Sequence, residues 1–228
     1  MNNLLVIIKK QIKDTVKNKT ILIQFLLFPI MTLIMENAIH MEGMQELFFT
    51  KLFSVMYIGM APLTATAAII SEEKEKNTLR VLIMANVKPY QYVLGVGLYV
   101  WIICMLGAGV MATGFSSENV INYLCIMGIG FLVSIIAGAC IGIYSKNQMT
   151  ATSLVMPAML VLAFLPMLAM FNENIAKVAK FFYTQQLRLW FEDMSFSSLS
   201  NEGLIILGVN TFLLLTAFAF TFKKKGLE

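Results

Sequence analysis

Charged residues are scarce in this sequence. Asp, Glu, Lys and Arg make up 13% of its 228 residues, against about 25% in a typical soluble protein. Hydrophobic residues make up 58%. A soluble domain of this size could not bury so much apolar surface, whereas a lipid bilayer favours apolar side chains on the outside of a protein. The composition therefore excludes an ordinary soluble domain and predicts an integral membrane protein.

Residues and motifs for catalysis or metal binding are also lacking. His40 is the only histidine, which excludes a zinc site built from several histidines. No Gly-x4-Gly-Lys-Ser/Thr segment occurs, which excludes ATP binding by a phosphate-binding loop. Cys104, Cys125 and Cys140 lie within apolar stretches and indicate neither a disulfide framework nor a metal site. We expect no catalytic residue, no metal, no cofactor bound by this chain and no nucleic-acid partner.

What the sequence has instead is long apolar stretches. A helix needs about 20 apolar residues to cross the hydrocarbon core of a bilayer, and six stretches meet this need: 21–40, 52–70, 92–112, 121–144, 153–171 and 203–222. Pro157 and Pro166 predict a kink in the fifth. The glycine pairs at 128 and 130 and at 138 and 142 predict close helix packing. We predict an all-α, polytopic membrane protein with six transmembrane helices, in a single transmembrane domain over residues 1–228.

The distribution of lysine and arginine predicts the orientation. Thirteen of the 17 fall in segment 1–19, between spans two and three, after span four, or after span six. Positively charged residues concentrate on the cytoplasmic side of membrane proteins. Both termini are therefore predicted to lie on the cytoplasmic side of the cell membrane, and this placement requires an even number of spans, which the six apolar stretches supply.

Polar side chains are rare inside the spans, and each is costly enough there to need a partner or a role. The candidates are Gln24, Glu36, Asn37, Thr64, Thr66, Ser134 and Asn210. Most are expected to form hydrogen bonds between packed helices. Five of them are candidates for lining a translocation path: Gln24, Glu36, Asn37, Thr64 and Asn210. For Glu36, a solvated position at the outer boundary and a position in the path both remain open.

Two segments outside the spans have an amphipathic pattern. In segment 1–19, one helical stripe consists of apolar residues, with lysines on the other faces: Leu4, Leu5, Ile8, Ile12 and Val16. This pattern predicts an amphipathic helix in the membrane interface. Segment 172–202 alternates charged with aromatic residues and is predicted to be an outer interfacial helix rather than a loop.

Segment 71–90 begins with a charged cluster that extends span two beyond the bilayer. Asn77 is predicted to make a turn and Thr78 to cap a short helix that Pro89 ends. The apolar face of this helix consists of Leu79, Leu82, Ile83 and Ala85. Such a face is unfavourable in water unless it docks. Its spacing fits a groove of a soluble partner as well as the membrane surface, and both remain open.

Segment 72–95 resembles the signature of type-2 ABC exporter permeases. The matching positions are Glu75, Thr78, Leu79, Leu82, the step 88–92 into span three, Leu94 and Gly95. Segments 142–153 and 164–166 resemble the family's inner turn after span four and its proline-bearing exit from span five. Asn77 stands where the family commonly has glycine, and 184–186 stand where many members have a proline.

The resemblance implies a transmembrane subunit of an exporter, not an enzyme. It implies that 1–19 is an elbow helix, that 71–90 couples to a separate ABC ATPase, and that 172–202 is extracellular. The coupling residues carried over are Glu72, Glu73, Glu75, Asn77, Thr78, Leu79, Leu82, Ile83 and Ala85. It also implies a second permease half, identical or different, surrounding membrane lipid, and ATP and Mg²⁺ used by the ATPase subunit.

The substrate class follows from composition only in outline. An apolar, methionine-rich interior without a large outer domain suits a hydrophobic or amphipathic substrate, such as an antimicrobial peptide or a drug. Export of a lipid, a glycan or an ion is the first alternative. The second is an ATPase-independent carrier or a scaffold that transports nothing. A carrier would need ionisable groups at mid-membrane, of which this sequence has almost none.

Overall fold

The computed structural model describes residues 3–39, 43, 45–84, 87–194 and 200–225, whose regular structure is all helical. These residues form α1 (Asn3–Lys17), α2 (Lys19–Ala38), α3 (Phe48–Glu75), α4 (Thr78–Met84), α5 (Pro89–Met111), α6 (Ser117–Tyr144), α7 (Gln148–Met159), α8 (Leu165–Ala169), α9 (Glu173–Ala179), α10 (Tyr183–Asp193) and α11 (Asn201–Lys225). A 3-10 turn, Ala112–Gly114, follows α5, and a π-helical segment, Leu160–Phe164, joins α7 to α8.

Six of the described segments are long and apolar enough to cross a membrane: Ile21–Ala38, Phe48–Glu75, Pro89–Gly114, Ser117–Tyr144, Gln148–Ala169 and Asn201–Lys225. They coincide with the six predicted stretches, so the prediction of an all-α protein with six spans is confirmed. Most are longer than predicted, because the helices continue into polar and charged residues beyond the apolar stretch.

Helix α3 is the centre of the bundle. In its most apolar stretch 78% of the residues are buried, against 6% in α11. Helix α3 packs most extensively on α6. A Cβ atom on Gly138 would lie 2.5 Å from the Leu63 carbonyl oxygen, and one on Gly142 would lie 2.8 Å from Ile70 Cβ. These two glycines therefore let the helix backbones approach, as their spacing predicts.

The fifth span is interrupted near its prolines. Helix α7 contains Pro157 and is followed at once by the π-helical segment, after which α8 begins with Pro166 in its first turn. On the facing helix α3, a Cβ atom on Gly59 would lie 2.7 Å from the Leu162 carbonyl carbon. The predicted kink thus takes the form of a π segment in close backbone contact with α3, a feature that often marks functional sites.

Helix α10 differs from the predicted interfacial helix. Its side chains Tyr183, Leu187 and Phe191 are buried, and it packs on α3, α6 and α11. The aromatic residues of α10 face inward, because α3 and α6 offer them an apolar surface, whereas Phe181 before this helix stays exposed. Helix α9 is mostly exposed. Positions 195–199 of the predicted outer segment lie outside the described residues.

Helix α1 packs on the bundle through a narrow face that differs from the apolar stripe predicted from the sequence. Ile7, Gln11 and Thr15 are buried, and α1 packs mainly on α5. The stripe residues Leu5, Ile12 and Val16 stay exposed, with Val16 67% exposed, whereas Leu4 and Ile8 are half-buried. We call the side of the bundle with α1 and α4 the α4 end, and the side with α9 and α10 the α10 end.

Candidate functional site

Four consecutive side chains close helix α3 at the α4 end. Successive side chains on an α-helix point about 100° apart, so Glu72, Glu73, Lys74 and Glu75 point in different directions around its circumference. Each of the four is bonded to a different neighbouring element. We call this set of contacts the α3 hub.

Glu73 links the hub to α1. Its side chain is 7% exposed, and its Oε1 accepts from Lys10 Nζ at 2.6 Å and from Gln11 Nε2. The buried Tyr92 hydroxyl at the start of α5 also adjoins this carboxylate. Lys10 additionally forms an ion pair with Asp14, one turn further along α1, at 3.2 Å. A buried carboxylate is costly unless it is paired and hydrogen-bonded, and here two donors from α1, Lys10 and Gln11, meet this need at Oε1.

Glu72 links the hub to the start of α2. Asn18 precedes α2 and donates from its Nδ2 to Glu72 Oε2 at 3.2 Å, while its own Oδ1 accepts from the Ile21 N–H. Glu72 also accepts a hydrogen bond from Lys76 and forms an ion pair with it. That hydrogen bond, with the nearby negative charge, raises the pKa of Lys76 above its ordinary value.

Lys74 and Glu75 link the hub to α6 and α7. Lys74 Nζ donates to the Ile143 carbonyl oxygen in the last turn of α6 at 2.7 Å. Glu75 Oε2 accepts from the Gln148 N–H, which opens α7, at 2.9 Å. A lysine at a helix C-terminus and a carboxylate at a helix N-terminus both interact favourably with the partial charge at that end of the helix. The end of α3 therefore contacts α1, α2, α6 and α7 through one side chain each.

A tight turn joins the hub to α4. Asn77 has a left-handed backbone with φ of 55°, which asparagine tolerates better than most residues. The turn expected at Asn77 is present. Thr78 is the first residue of α4 and not its cap: its Oγ1 donates to the Glu73 carbonyl oxygen at 3.2 Å, and Asn77 supplies the first helical carbonyl. The Thr78 hydroxyl can donate to α3 because the last carbonyl groups of a helix have no partner within that helix.

The faces of α4 differ from the predicted arrangement. Leu79 is 1% exposed within the bundle core, and Leu82 and Ile83 pack against the same core. These three residues therefore attach α4 to its own chain. Ala85, the fourth residue of the predicted face, lies outside the described residues. The side chains presented to the surroundings are instead Arg80, Val81 and Met84, with Val81 59% and Met84 72% exposed. We call these three the docking face.

Two of the five predicted path residues contact each other. Thr64 Oγ1 of α3 donates to Gln24 Oε1 of α2 at 3.0 Å. Gln24 also lines a cleft of about 330 Å³ between α2, α3 and α7, together with Glu75, Gln148 and Thr152. This cleft begins at the hub, and its lining includes the apolar residues Ile21 and Ala68.

The other three predicted path residues lie apart from this cleft. Glu36 Oε2 accepts from the Thr50 N–H at 2.8 Å and from Thr50 Oγ1 at 2.9 Å, so the carboxylate caps the start of α3. Asn37 donates to the Leu33 carbonyl oxygen of its own helix. Asn210 donates to the Phe181 and Ile206 carbonyl oxygens. These contacts stabilise helix ends and turns, and none of the three residues lines the cleft that Gln24 lines.

No metal site accompanies the hub. Among the residues that the structure describes, His, Cys, Asp and Glu side chains form no group of three that could hold a metal ion. The hub carboxylates accept hydrogen bonds from nitrogen atoms of their own chain.

Comparison with known proteins agrees with the residues that suggested the family. A family model described as ABC-2 family transporter protein matches residues 1–222, which include all six spans and the junction of α3 with α4. No curated protein matches the chain. The resemblance of segment 72–95 is thereby confirmed at the level of the family. The chain belongs to the ABC-2 family of transporter proteins, as a multi-pass membrane permease subunit of an ABC transporter.

Proposed function

We propose that this chain is the transmembrane half of an ATP-driven exporter whose separate ATPase subunit docks at α4. The α3 hub carries the proposal: one side chain each from Glu72, Glu73, Lys74 and Glu75 contacts α2, α1, α6 and α7. A displacement of α4 is passed through these contacts to the elbow helix and to the inner ends of three spans.

The connection between α4 and the hub is short enough to transmit force. Only Lys76 and Asn77 separate the two helices. Thr78 is hydrogen-bonded to α3, and Leu79 is packed in the core. Helix α4 therefore moves together with the end of α3. In this proposal Leu79, Thr78 and the hub residues transmit the displacement, while the docking face of Arg80, Val81 and Met84 contacts the ATPase.

The excess of lysine and arginine in segment 1–19 and around α4 supports a cytoplasmic position for the α4 end and for both termini. A cytoplasmic ATPase can then reach the docking face, and it supplies the ATP and Mg²⁺ chemistry. Energy must come from such a subunit, because the sequence has no phosphate-binding loop of its own.

The proposed path runs between two permease halves. Helices α2 and α11 have only 28% and 6% of their apolar stretches buried, so lipid and a second half, identical or different, must cover their apolar faces. The cleft between α2, α3 and α7 opens toward this boundary. Its lining combines the apolar Ile21 and Ala68 with polar and charged residues that include Gln24, Glu75 and Thr152, which suits an amphipathic substrate such as an antimicrobial peptide or a drug.

The test is a double substitution in the docking face, Val81→Asp with Met84→Asp, in cells that express the permease and its ATPase. Two buried carboxylates in a protein interface are strongly unfavourable. We expect the ATPase to be lost on affinity purification of the permease, stimulated ATP hydrolysis to fall to the basal rate, and resistance to a peptide and drug panel to fall to that of a deletion strain.

Met84→Leu is the matched control, because it keeps an apolar side chain of similar size at the same exposed position. It should purify with the ATPase as the unmodified permease does. Retention of the ATPase by the double aspartate variant would refute docking at α4. Unchanged resistance in the deletion strain would refute the substrate class but not the docking.

A further inference from the structure

A second cleft opens beside the first residue of α4. It has a volume of about 730 Å³ and is enclosed by α1, the start of α2 and the end of α3, with Thr78 of α4 at its edge. The charged side chains that line it are four lysines and three carboxylates: Lys10, Lys17, Lys19, Lys76, Asp14, Glu72 and Glu73.

The charges in this cleft do not cancel. Asp14 and Glu73 are both paired with Lys10, and Glu72 is paired with Lys76. Lys17 and Lys19 have no acidic partner among the residues that the structure describes. The helix dipoles do not decide the sign, because the N-terminus of α2 meets the C-terminal ends of α1 and α3 at this cleft. The two unpaired lysines leave an excess of positive charge, so a complementary ligand is anionic.

The cleft faces away from the apolar stripe of α1. On a helix with about 100° between residues, Lys17 lies about 120° around from the exposed stripe of Leu5, Ile12 and Val16. Lys9, by contrast, lies about 40° from that stripe and does not line the cleft. If the stripe rests in the membrane, Lys9 is beside lipid headgroups, whereas Lys17 faces the aqueous side on which the docking face lies.

We infer that this cleft binds a carboxylate-bearing segment of the ATPase subunit, held by Lys17 and Lys19. The inference rests on the proposed function, in which that subunit docks on α4, and it adds the chemistry of the partner's surface. The exposed Arg80 adds a positive charge to the docking face itself. The ATPase should accordingly present acidic residues beside the apolar contact with Val81 and Met84.

The experiment measures binding of the co-purified ATPase subunit to the full-length permease in phosphatidylcholine nanodiscs, by biolayer interferometry. We expect Lys17→Glu with Lys19→Glu to weaken binding about tenfold at low salt, and we expect this difference to shrink at high salt because exposed charges are screened. Lys9→Glu, the control on the same helix, should change the affinity less than about twofold. Thermal melting of the double variant and of Lys9→Glu confirms that both are folded.

Each contrary result has a distinct meaning. Equal affinity of the Lys17→Glu/Lys19→Glu variant and the unmodified permease would overturn the inference, as would an equal loss with Lys9→Glu. A loss seen only in nanodiscs with anionic lipid would also overturn it, because the lysines would then serve the membrane. The proposed function fails separately, if Val81→Asp with Met84→Asp leaves ATPase binding unchanged.

Discussion

The two ends of the helix bundle are held together by different chemistry. At the α4 end, charged side chains of the hub bond to backbone groups and side chains of four other elements. At the α10 end, hydroxyl groups pair within the core: Ser54 with Tyr123 at 2.7 Å, and Ser134 with Tyr183 at 2.7 Å. Aromatic rings pack around these pairs, with the Tyr123 and Phe191 centroids 5.6 Å apart.

This difference indicates what each end can do. All four residues of these two pairs are buried, with at most 1% of their surface exposed, so separating a pair would leave a polar group without a partner in an apolar medium. The hub contacts range from the buried Glu73 to the exposed Glu75, and the exposed contacts can exchange with water at little cost. We interpret the α10 end as the fixed part of the bundle and the α4 end as the part that transmits movement.

Removing Glu73 should have the largest effect on stability. Glu73→Ala deprives Lys10 and Gln11 of a common buried partner, and we expect the free energy of unfolding to fall by about 3 kcal/mol. The loss is measured by thermal unfolding in detergent. The reaction of buried Cys104 with a thiol-reactive dye reports the unfolding.

The neighbouring Glu72→Ala provides the control for this substitution. Its side chain is 21% exposed, against 7% for Glu73, and the loss should stay within about 1 kcal/mol. Equal losses for the two variants would show that burial does not distinguish the contacts of the hub.

Breaking a hydroxyl pair at the α10 end should have a smaller effect, on stability alone. Ser134→Ala removes the acceptor of the Tyr183 hydroxyl, and leaving that group unpaired should cost about 2 kcal/mol. Replacing both partners, Ser134→Ala with Tyr183→Phe, should recover part of the loss, because no polar group is then stranded. Transport per folded permease should not change in either variant. A selective loss of transport would contradict a purely structural role for this end.

Releasing α7 from the hub should have the smallest effect on stability. Glu75→Ala removes a carboxylate that accepts from the Gln148 N–H, and we expect a loss of about 1 kcal/mol. Substrate exported per ATP hydrolysed should nevertheless fall, because α7 no longer follows α3. Glu118→Ala, in the first turn of α6 at the other end, is the control and should leave this ratio unchanged. If the substrate exported per ATP is unchanged in Glu75→Ala, the contact between Glu75 and α7 does not take part in coupling.

The features predicted correctly from the sequence are those that depend on neighbours along the chain. Hydropathy over about 20 residues identifies a span regardless of what packs beside it, and all six were found. The turn at Asn77 follows from the conformations that asparagine tolerates. The packing role of Gly138 and Gly142 follows from their spacing on one helix face.

The features that could not be predicted depend on neighbours in space. The sequence pattern marks Leu79, Leu82 and Ile83 as an apolar face of α4 but does not indicate whether that face meets a partner or the protein's own core. Val81 and Met84 remained outside the predicted site for the same reason. In the hub, the three glutamates were among the predicted coupling residues and Lys74 was not. Their partners could not be predicted, because those of Glu72 and Glu73 are more than 50 positions away in the chain.

By itself, the sequence determined that the protein resides in a membrane, how many spans it has, and which family it resembles, because apolar length and local motifs are properties of contiguous residues. Only the tertiary structure decided which side of α4 is free, that α10 enters the core, and that the charged end of α3 holds four elements together. Those outcomes depend on which helix surfaces meet, and a surface is assembled from residues that lie far apart in the chain.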